Sequence, residues 1–276
     1  MLPRVLTIAL VGNPNTGKST LFNALSGLRQ RVGNYPGVTV EMKKGRATFG
    51  DANVELIDLP GTYSLAARSP DEMVAVDLLL GNCPGEQPPD VIVAIVDASN
   101  LERHLYLVTQ LLEIGAPVVV ALNMIDIAER HGIRVDAETL RKQLCLPVVP
   151  IQANKGTGLK ELQDAIVAAA GSGAPPRKPE FPEAFEKEVA ALHEALPGFS
   201  PFLVRRLLLD VGGYTERSLS QSNGHNLSDH LHEARSRLQQ AGHPVPAVEA
   251  RTRFHWIKET TAGCLQRPIE RPVTWT

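Results

Sequence analysis

Gly12-Asn13-Pro14-Asn15-Thr16-Gly17-Lys18-Ser19 follows the apolar run Val5–Val11 and precedes Thr20–Leu28, where Leu21, Phe22, Ala24 and Leu25 recur at helical spacing. The octet matches G-x-x-x-x-G-K-[ST] at a strand-to-helix junction, the context that gives this pattern meaning. Its glycines let backbone N–H groups curl around phosphate oxygens, and Lys18 adds a point charge. The Ser19 hydroxyl can ligate a Mg²⁺ that bridges two phosphates. The N-terminus of the following helix turns its positive dipole end to the same anion. Every residue from Gly12 to Thr20 is therefore a candidate contact to a nucleoside triphosphate.

Outward from this loop, β-branched runs alternate with helical patterns over the first 170 residues. Val5–Val11, Val54–Leu59, Val91–Asp97, Val118–Asn123 and Val148–Ile151 read as buried strands, and the more polar Val38–Thr48 as an edge strand. Helices are predicted at about 18–27, 70–80, 101–114, 136–145 and 158–170. The alternation implies an α/β fold, a mostly parallel sheet with helices on both faces and ligands at the carboxyl ends of the strands. Residues 171–182 carry Gly171, Gly173 and the prolines 175, 176, 179 and 182, which suit a linker. Beyond it, Phe185–Leu196, Phe202–Asp210, Asn226–Ala241 and Ala247–Leu265 are helical in pattern, with no strand-like run between them. The expected organisation is a nucleotide-binding domain over 1–170, a linker over 171–182, a small all-helical domain over 183–268 and a tail over 269–276.

Bulk properties narrow the function classes. With 276 residues, a formal net charge of −2 and 43% hydrophobic content, the chain reads as soluble, with no basic surplus pointing to nucleic acid. Cys83, Cys145 and Cys264 lie far apart without C-x-x-C spacing, arguing for reduced thiols in a cytosolic setting. No apolar stretch reaches the roughly 18 to 20 residues that cross a bilayer.

Four further segments bear on the nucleotide. Asp58-Leu59-Pro60-Gly61 follows the second parallel strand, where P-loop NTPases place a carboxylate on the Mg²⁺ shell and a glycine N–H on the γ-phosphate. Asn123-Met124-Ile125-Asp126 ends another strand. A carboxylate accepting two N–H bonds from a guanine edge rejects adenine, because the wrong base leaves buried groups unpaired. Gln152-Ala153-Asn154 follows the last strand, where a backbone N–H can serve the guanine carbonyl; an ordinary strand-to-helix turn reads equally well there. Gly33-Asn34-Tyr35-Pro36-Gly37-Val38-Thr39 suits a mobile segment contacting nucleotide through Gly37, Val38 and Thr39, with the Thr39 hydroxyl reaching Mg²⁺ only beside a γ-phosphate. Candidate Mg²⁺ ligands are thus Ser19, Thr39 and Asp58, and candidate catalytic groups are Lys18, Thr39 and Gly61. Thr62 stands where a water-orienting glutamine often sits, which predicts slow hydrolysis unless another cation organises the water. Asn15 is the candidate oxygen ligand for that cation.

On these residues the chain resembles the N-terminal cytosolic region of the ferrous iron transport protein B family, FeoB. The likeness extends to Gln30–Glu41, to Thr62-Tyr63-Ser64-Leu65 after Gly61, to Arg68-Ser69-Pro70-Asp71-Glu72, and to Val96–Arg103 with Leu105-Tyr106-Leu107. Met124, where many GTPases have lysine, is similar too. The resemblance implies a slow, Mg²⁺-dependent GTPase with a helical domain favouring GDP retention. It also implies potassium activation through Asn15 and the carbonyls of Gly33 and Tyr35. Further implications are an absent membrane-spanning domain that carries ferrous iron, small Feo accessory proteins as partners, and a place on the cytoplasmic side of the bacterial inner membrane. The chain then reads as a piece ending where the membrane part begins. Tyr35, His104 and Gln152 depart from the family's commoner tryptophan, asparagine and serine.

Other features invite weaker readings. His225, His230 and His232 are spaced by five and two, which does not put all three on one helix face, so they read as solvated polar residues. Arg205-Arg206 reads as a solvated helix edge, and Phe254, Trp256 and Ile257 as packing of the last helix. Two alternatives to a GTPase regulating iron transport stand open: a free-standing GTPase acting on ribosome or tRNA, disfavoured because 181–276 shows no RNA-binding motif, and a GTP/GDP-sensing module without significant hydrolysis.

Overall fold

The structure, a computed structural model, describes residues 4–27, 30–35, 41–83, 85–171, 176–223 and 225–268. In chain order its first part runs β1 (Leu6–Gly12), α1 (Lys18–Ser26), β2 (Gln30–Asn34), β3 (Glu41–Phe49), β4 (Ala52–Asp58), α2 (Pro70–Leu80), β5 (Val91–Asp97), α3 (Leu101–Leu111), β6 (Val118–Asn123), α4 (Ile125–Arg130), β7 (Arg134–Val135), α5 (Ala137–Leu144), β8 (Val148–Pro150) and α6 (Leu159–Ala170). The remainder runs α7 (Glu183–Ala195), α8 (Pro201–Leu209), α9 (Tyr214–Asn223), α10 (His225–Gln240), α11 (Ala247–Thr261) and β9 (Leu265–Gln266). Among the described residues, seven strands form one sheet in the order β2-β3-β4-β1-β5-β6-β8. β3 is antiparallel to both neighbours, and every other pair is parallel.

The strand alternation explains why both sheet faces are covered. In β1, Ile8 and Leu10 pack with Leu21 and Phe22 of α1 and Leu162 and Ile166 of α6. Ala9 and Val11 face the opposite layer, with Leu78 of α2 and Leu105 and Val108 of α3. β5 and β6 repeat the division, so their sequences are near-continuous apolar runs. α2 starts at a reciprocal cap: Ser69 accepts from Glu72 N–H, and Glu72 accepts from Arg68 N–H.

Several expectations are corrected. The edge is two antiparallel strands: β2 was not anticipated, and β3 starts at Glu41, Val38–Val40 lying outside the described residues. The short α4 and the polar α9 are additional helices. Leu265 belongs to β9 rather than to the last helix; β9 pairs with β7 (Val135 opposite Leu265), so the part after 183 does hold a strand. Nor does the last helix pack only with its helical neighbours. Phe181, α7, α8, α10 and Val248 share one apolar cluster. Trp256, Ile257, Cys264 and Phe202 instead join the layer formed by α2, α3 and the sheet. Phe254 is exposed but lies against Tyr106 of α3 in a tilted pair, ring centroids 5.3 Å apart.

The largest correction concerns Arg205-Arg206. Arg205 pairs with Glu186 and lies over Phe181 and Phe185. Arg206 is 3% exposed and pairs with Glu249 of α11. Glu249 also accepts from Arg253 Nε at 2.9 Å, and Arg253, 0% exposed, reaches Thr109 at 3.1 Å and Glu113 at 3.0 Å on α3. Burial works against the Glu249 charge, but Arg206 and Arg253 outweigh it and hold the carboxyl down at about 2, against an ordinary 4.5. A depressed carboxyl stabilises the fold above the ordinary value and loses that contribution as pH falls through the folded value. Glu249 should therefore contribute about 3 kcal/mol at neutral pH, lost between about pH 4.5 and 2. Denaturant titrations across that window should show the loss in wild type and a flatter profile in Glu249→Gln; parallel profiles would refute it.

Candidate nucleotide site

The motif residues converge at the carboxyl ends of β1, β4, β6 and β8. The loop 12–17 needs unusual backbone at two places: Gly17 has φ +86°, and Asn15 has φ 66° despite its side chain. A Cβ on Gly17 would come within 2.5 Å of Asn123 Nδ2, so glycine there serves packing as well as backbone freedom. Thr16 Oγ1 donates to the Asn13 carbonyl at 2.9 Å, closing the loop on itself. Asn13 is 2% exposed, and neither its amide nitrogen nor its oxygen has a partner. Asn15, Ser19 and Thr20 are exposed at the mouth.

Lys18, at the start of α1, is ion-paired with Asp58 at the end of β4, the two side chains 12% and 6% exposed. Two opposite charges this far from water each offset the cost of burying the other. The chain leaving Asp58 is laid along the Gly12 loop: Leu59 N–H donates to Leu10 O and Thr62 N–H to Gly12 O, both at 3.2 Å. Pro60 lies between, and a Cβ on Gly61 would stand 3.4 Å from Pro14. The Thr62 hydroxyl is used internally, donating to Ser64 O at 2.6 Å.

Asn123 ties three segments together. Its Nδ2 donates to Thr16 O at 2.9 Å, and its Oδ1 accepts from Ala153 N–H at 3.1 Å. This role escaped the sequence, which marked Asn123 only as a base contact. Met124 takes a left-handed conformation, φ 62°, that turns the chain into α4 and sets Asp126 in its first turn. Asp126 lies 3.5 Å from Arg130 and 3.6 Å from Lys155. Gly17, Thr20, Asn123, Met124, Asp126, Ala153 and Asn154 line one cavity of roughly 160 Å³. Gln152 is held back from it, its N–H donating to Thr157 O at 3.0 Å. A larger cleft, about 810 Å³ between residues 177–182 and α11, contains none of the motif residues. Asn123→Ala should lower unfolding free energy by about 2–4 kcal/mol, since two buried backbone groups lose their partners. An unchanged thermal midpoint would contradict that role.

The remaining predicted residues divide. Gly37, Val38 and Thr39 lie outside the described residues. Gly33 sits in β2 opposite Met42, and Tyr35 follows with its ring 1% exposed. The Tyr35 hydroxyl has no partner, and burial, with Cys83, Asp58 and Glu86 nearby, pushes its pKa up. His104 is buried, its Nδ1 accepting from Asp97 N–H at 2.9 Å at the end of β5. Burial lowers its pKa, Asp97 opposing and Arg103 assisting. His230 and His232 are on α10; nothing is described of the His225 side chain.

The donors fit hard cations. Ser19 and Asp58 offer the hydroxyl and carboxylate oxygens that Mg²⁺ takes beside phosphates, and Asn15 offers an exposed amide oxygen to a larger ion. A family model described as ferrous iron transport protein B matches residues 6–166. The chain belongs to the ferrous iron transport protein B family. Over 165 residues it is 52% identical to the Fe(2+) transporter FeoB of Salmonella typhimurium and 51% identical to that of Escherichia coli K12. Those alignments take in 58% of this chain but only 21% of each relative. The solved cytosolic domain of L. pneumophila FeoB gives a TM-score of 0.77 at 37% identity, covering 95% of this chain and 100% of that one. The cytosolic domain of the T. maritima FeoB iron transporter in a GDP form gives 0.77 at 30% identity, covering 96% and 100%. The FeoB-type sheet described above is thus a P-loop GTPase fold, and residues 6–166 are the family's N-terminal GTPase region. No helix among the described residues is long and apolar enough to cross a membrane.

Proposed function

We propose that the chain binds GTP and GDP with Mg²⁺ and hydrolyses GTP slowly, and that in a longer protein this regulates or energises ferrous iron passage through a membrane domain. The observation that carries the reading is Asn123, which fastens the phosphate-type loop at Thr16 to the Ala153 loop and leaves Asp126 on the cavity between them. Lys18 would place its charge on the β- and γ-phosphates, and Ser19, Thr39 and Asp58 would hold the Mg²⁺ that offsets the remaining phosphate charge. The Gly61 N–H then meets the γ-phosphate. Asn15, with the carbonyls of Gly33 and Tyr35, would hold potassium, whose charge would offset what builds on the β/γ-phosphates. Residues 183–268 are proposed as a helical regulatory domain favouring GDP retention, residues 171–182 as its linker, and 269–276 as the lead into the membrane domain. The fragment would then work at the cytoplasmic face of a bacterial inner membrane, with small Feo accessory proteins as partners.

A second reading, a sensor that binds without meaningful hydrolysis, draws on Thr62. Its hydroxyl and N–H are committed to Ser64 O and Gly12 O, leaving no amide there to orient water. Phosphate release measured in potassium and in sodium buffers separates the two. Potassium stimulation abolished by Asn15→Ala, with nucleotide binding retained, is the expected result; negligible release in both buffers would favour the sensor.

A further inference from the structure

α4, the helix that carries Asp126, is too short to hold its own direction. Its six residues make less than two turns, below the length at which a helix persists without packing. Met124 at its head gives no side-chain cap. The course of α4 is therefore set by what grips its two ends. Asn123 fixes the head through Thr16 and Ala153. The tail runs into a bonded turn, in which Gly132 N–H donates to Glu129 O and Ile133 N–H to Ala128 O, both at 2.9 Å.

That turn leads straight into β7, whose ladder partner is β9. Arg134 lies opposite Gln266 and Val135 opposite Leu265, and Asp136 N–H donates to Cys264 O at 2.8 Å. Gly132, with φ +72°, brings the turn so near the chain leaving β9 that a Cβ there would stand 3.4 Å from Pro268. The contact also has an apolar side. Ala128 of α4 and Cys264 are buried in one cluster, with Ile125, Ile133, Val135 and Leu265 packed against it. Glu102, in the first turn of α3, accepts from Thr261 Oγ1 at 3.3 Å and pairs with Arg267. The Arg267 pair is largely exposed and contributes little, so the ladder and the apolar contacts carry the hold. Among the described residues β7 pairs with no other strand. Without β9, the turn that ends α4 loses its anchor.

We infer that Leu265 and Gln266 of β9 are positioning residues for base recognition: through β7 they hold the tail of α4, so that the Asp126 carboxylate stands where the edge of guanine meets it. The inference rests on the guanine-nucleotide reading given above and adds to it residues that touch no nucleotide. Hydrogen bonds weaken steeply with misalignment, so a small tilt of so short a helix costs the match to the base. β9 acts on α4 and not on the phosphate loop, and therefore serves diphosphate and triphosphate alike.

The test titrates wild type and Gln266→Pro with GDP, a non-hydrolysable GTP analogue and inosine diphosphate, all with Mg²⁺. Inosine diphosphate keeps guanine's ring N–H but lacks its amino group, so the ratio of GDP to inosine diphosphate affinity reads the second bond to Asp126. Proline takes an N–H from a two-residue strand and breaks the ladder. That ratio should fall about 5- to 10-fold in the variant, most of what one hydrogen bond to a charged group contributes. The ratio of analogue to GDP affinity should stay within twofold. Leu265→Ala, which keeps the backbone ladder, should lower the base ratio by less. A base ratio within twofold of wild type for Gln266→Pro overturns the inference even if the melting temperature falls. A change confined to the analogue-to-GDP ratio overturns it too. Should Gln266→Pro not fold, amide exchange of Asp136 in wild type decides, because coupling is reciprocal. Slower exchange with saturating GDP than with saturating inosine diphosphate supports the proposal, and equal protection refutes it. Wild type binding GDP no more tightly than inosine diphosphate would instead sink the underlying reading of Asp126.

Discussion

Lys18→Ala should weaken both GTP and GDP binding by at least about 100-fold and slow hydrolysis at saturating GTP by about 10²–10³-fold. The first figure corresponds to losing about 3 kcal/mol of charge-assisted hydrogen bonding to phosphate oxygens. The second matches what removal of one preorganised charge-stabilising donor does elsewhere. The variant also strands Asp58, whose side chain is 6% exposed and whose ion-pair partner among the described residues is Lys18. Part of the damage should therefore appear without nucleotide, as a lower unfolding temperature. Adding Asp58→Asn should restore that temperature, because the orphaned charge is gone, yet leave binding unrepaired. Lys18→Arg would be a poor rescue, since a planar fork does not replace a compact ammonium in a tight loop. Calorimetric titration decides the matter: affinity within threefold of wild type would mean that residues 12–19 are not the phosphate cradle.

The parts of the fold that were legible are those whose residues carry their own instructions. β1, β5 and β6 are buried on both faces, so they must be apolar throughout and read plainly as central strands. β2 carries no such signal: Gln-Arg-Val-Gly-Asn is exposed at every position, and its ladder to β3, from Gln30 opposite Gly45 to Asn34 opposite Glu41, is what makes it a strand. α9 is similar, a polar Tyr-Thr-Glu-Arg-Ser stretch with no apolar stripe, held by contacts to Ala67 and Met73. Arg206 looked like half of a solvated basic pair because its partner lies 43 residues away. The site divides along the same line. The motifs at 12–19, 58–61 and 123–126 were readable because each is local in sequence, and the fold brings them to one end of the sheet. The stitching by Asn123 was not, its two acceptor and donor partners being 107 and 30 residues distant. β9 had no signal at all, since two residues beyond a helix say nothing of the strand they pair with.

Asp126→Asn should invert base preference. A carboxylate in the first turn of α4 offers only acceptors, matching a base edge that presents two N–H donors; an amide offers one acceptor and one donor. Guanine's exocyclic amino group would then meet the amide's own N–H, while a purine carrying a carbonyl there, as xanthine does, would be accepted. Sites built around such polar matching discriminate by about 10⁴–10⁵-fold, because a mismatched base leaves buried groups unpaired. GTP affinity should therefore fall by at least about 10³-fold and xanthosine triphosphate affinity should rise to exceed it. Arg130 and Lys155, 3.5 and 3.6 Å from the carboxylate, set the control. If Asp126 served only to pair with them on the surface, the substitution would lower stability by less than about 1 kcal/mol and leave both nucleotides unaffected. Fluorescence titration with the two triphosphates, and with ATP as the base that neither form should accept, separates these outcomes. Unchanged GTP affinity in the Asn variant would place the base somewhere other than the cavity lined by Gly17, Asn123 and Ala153.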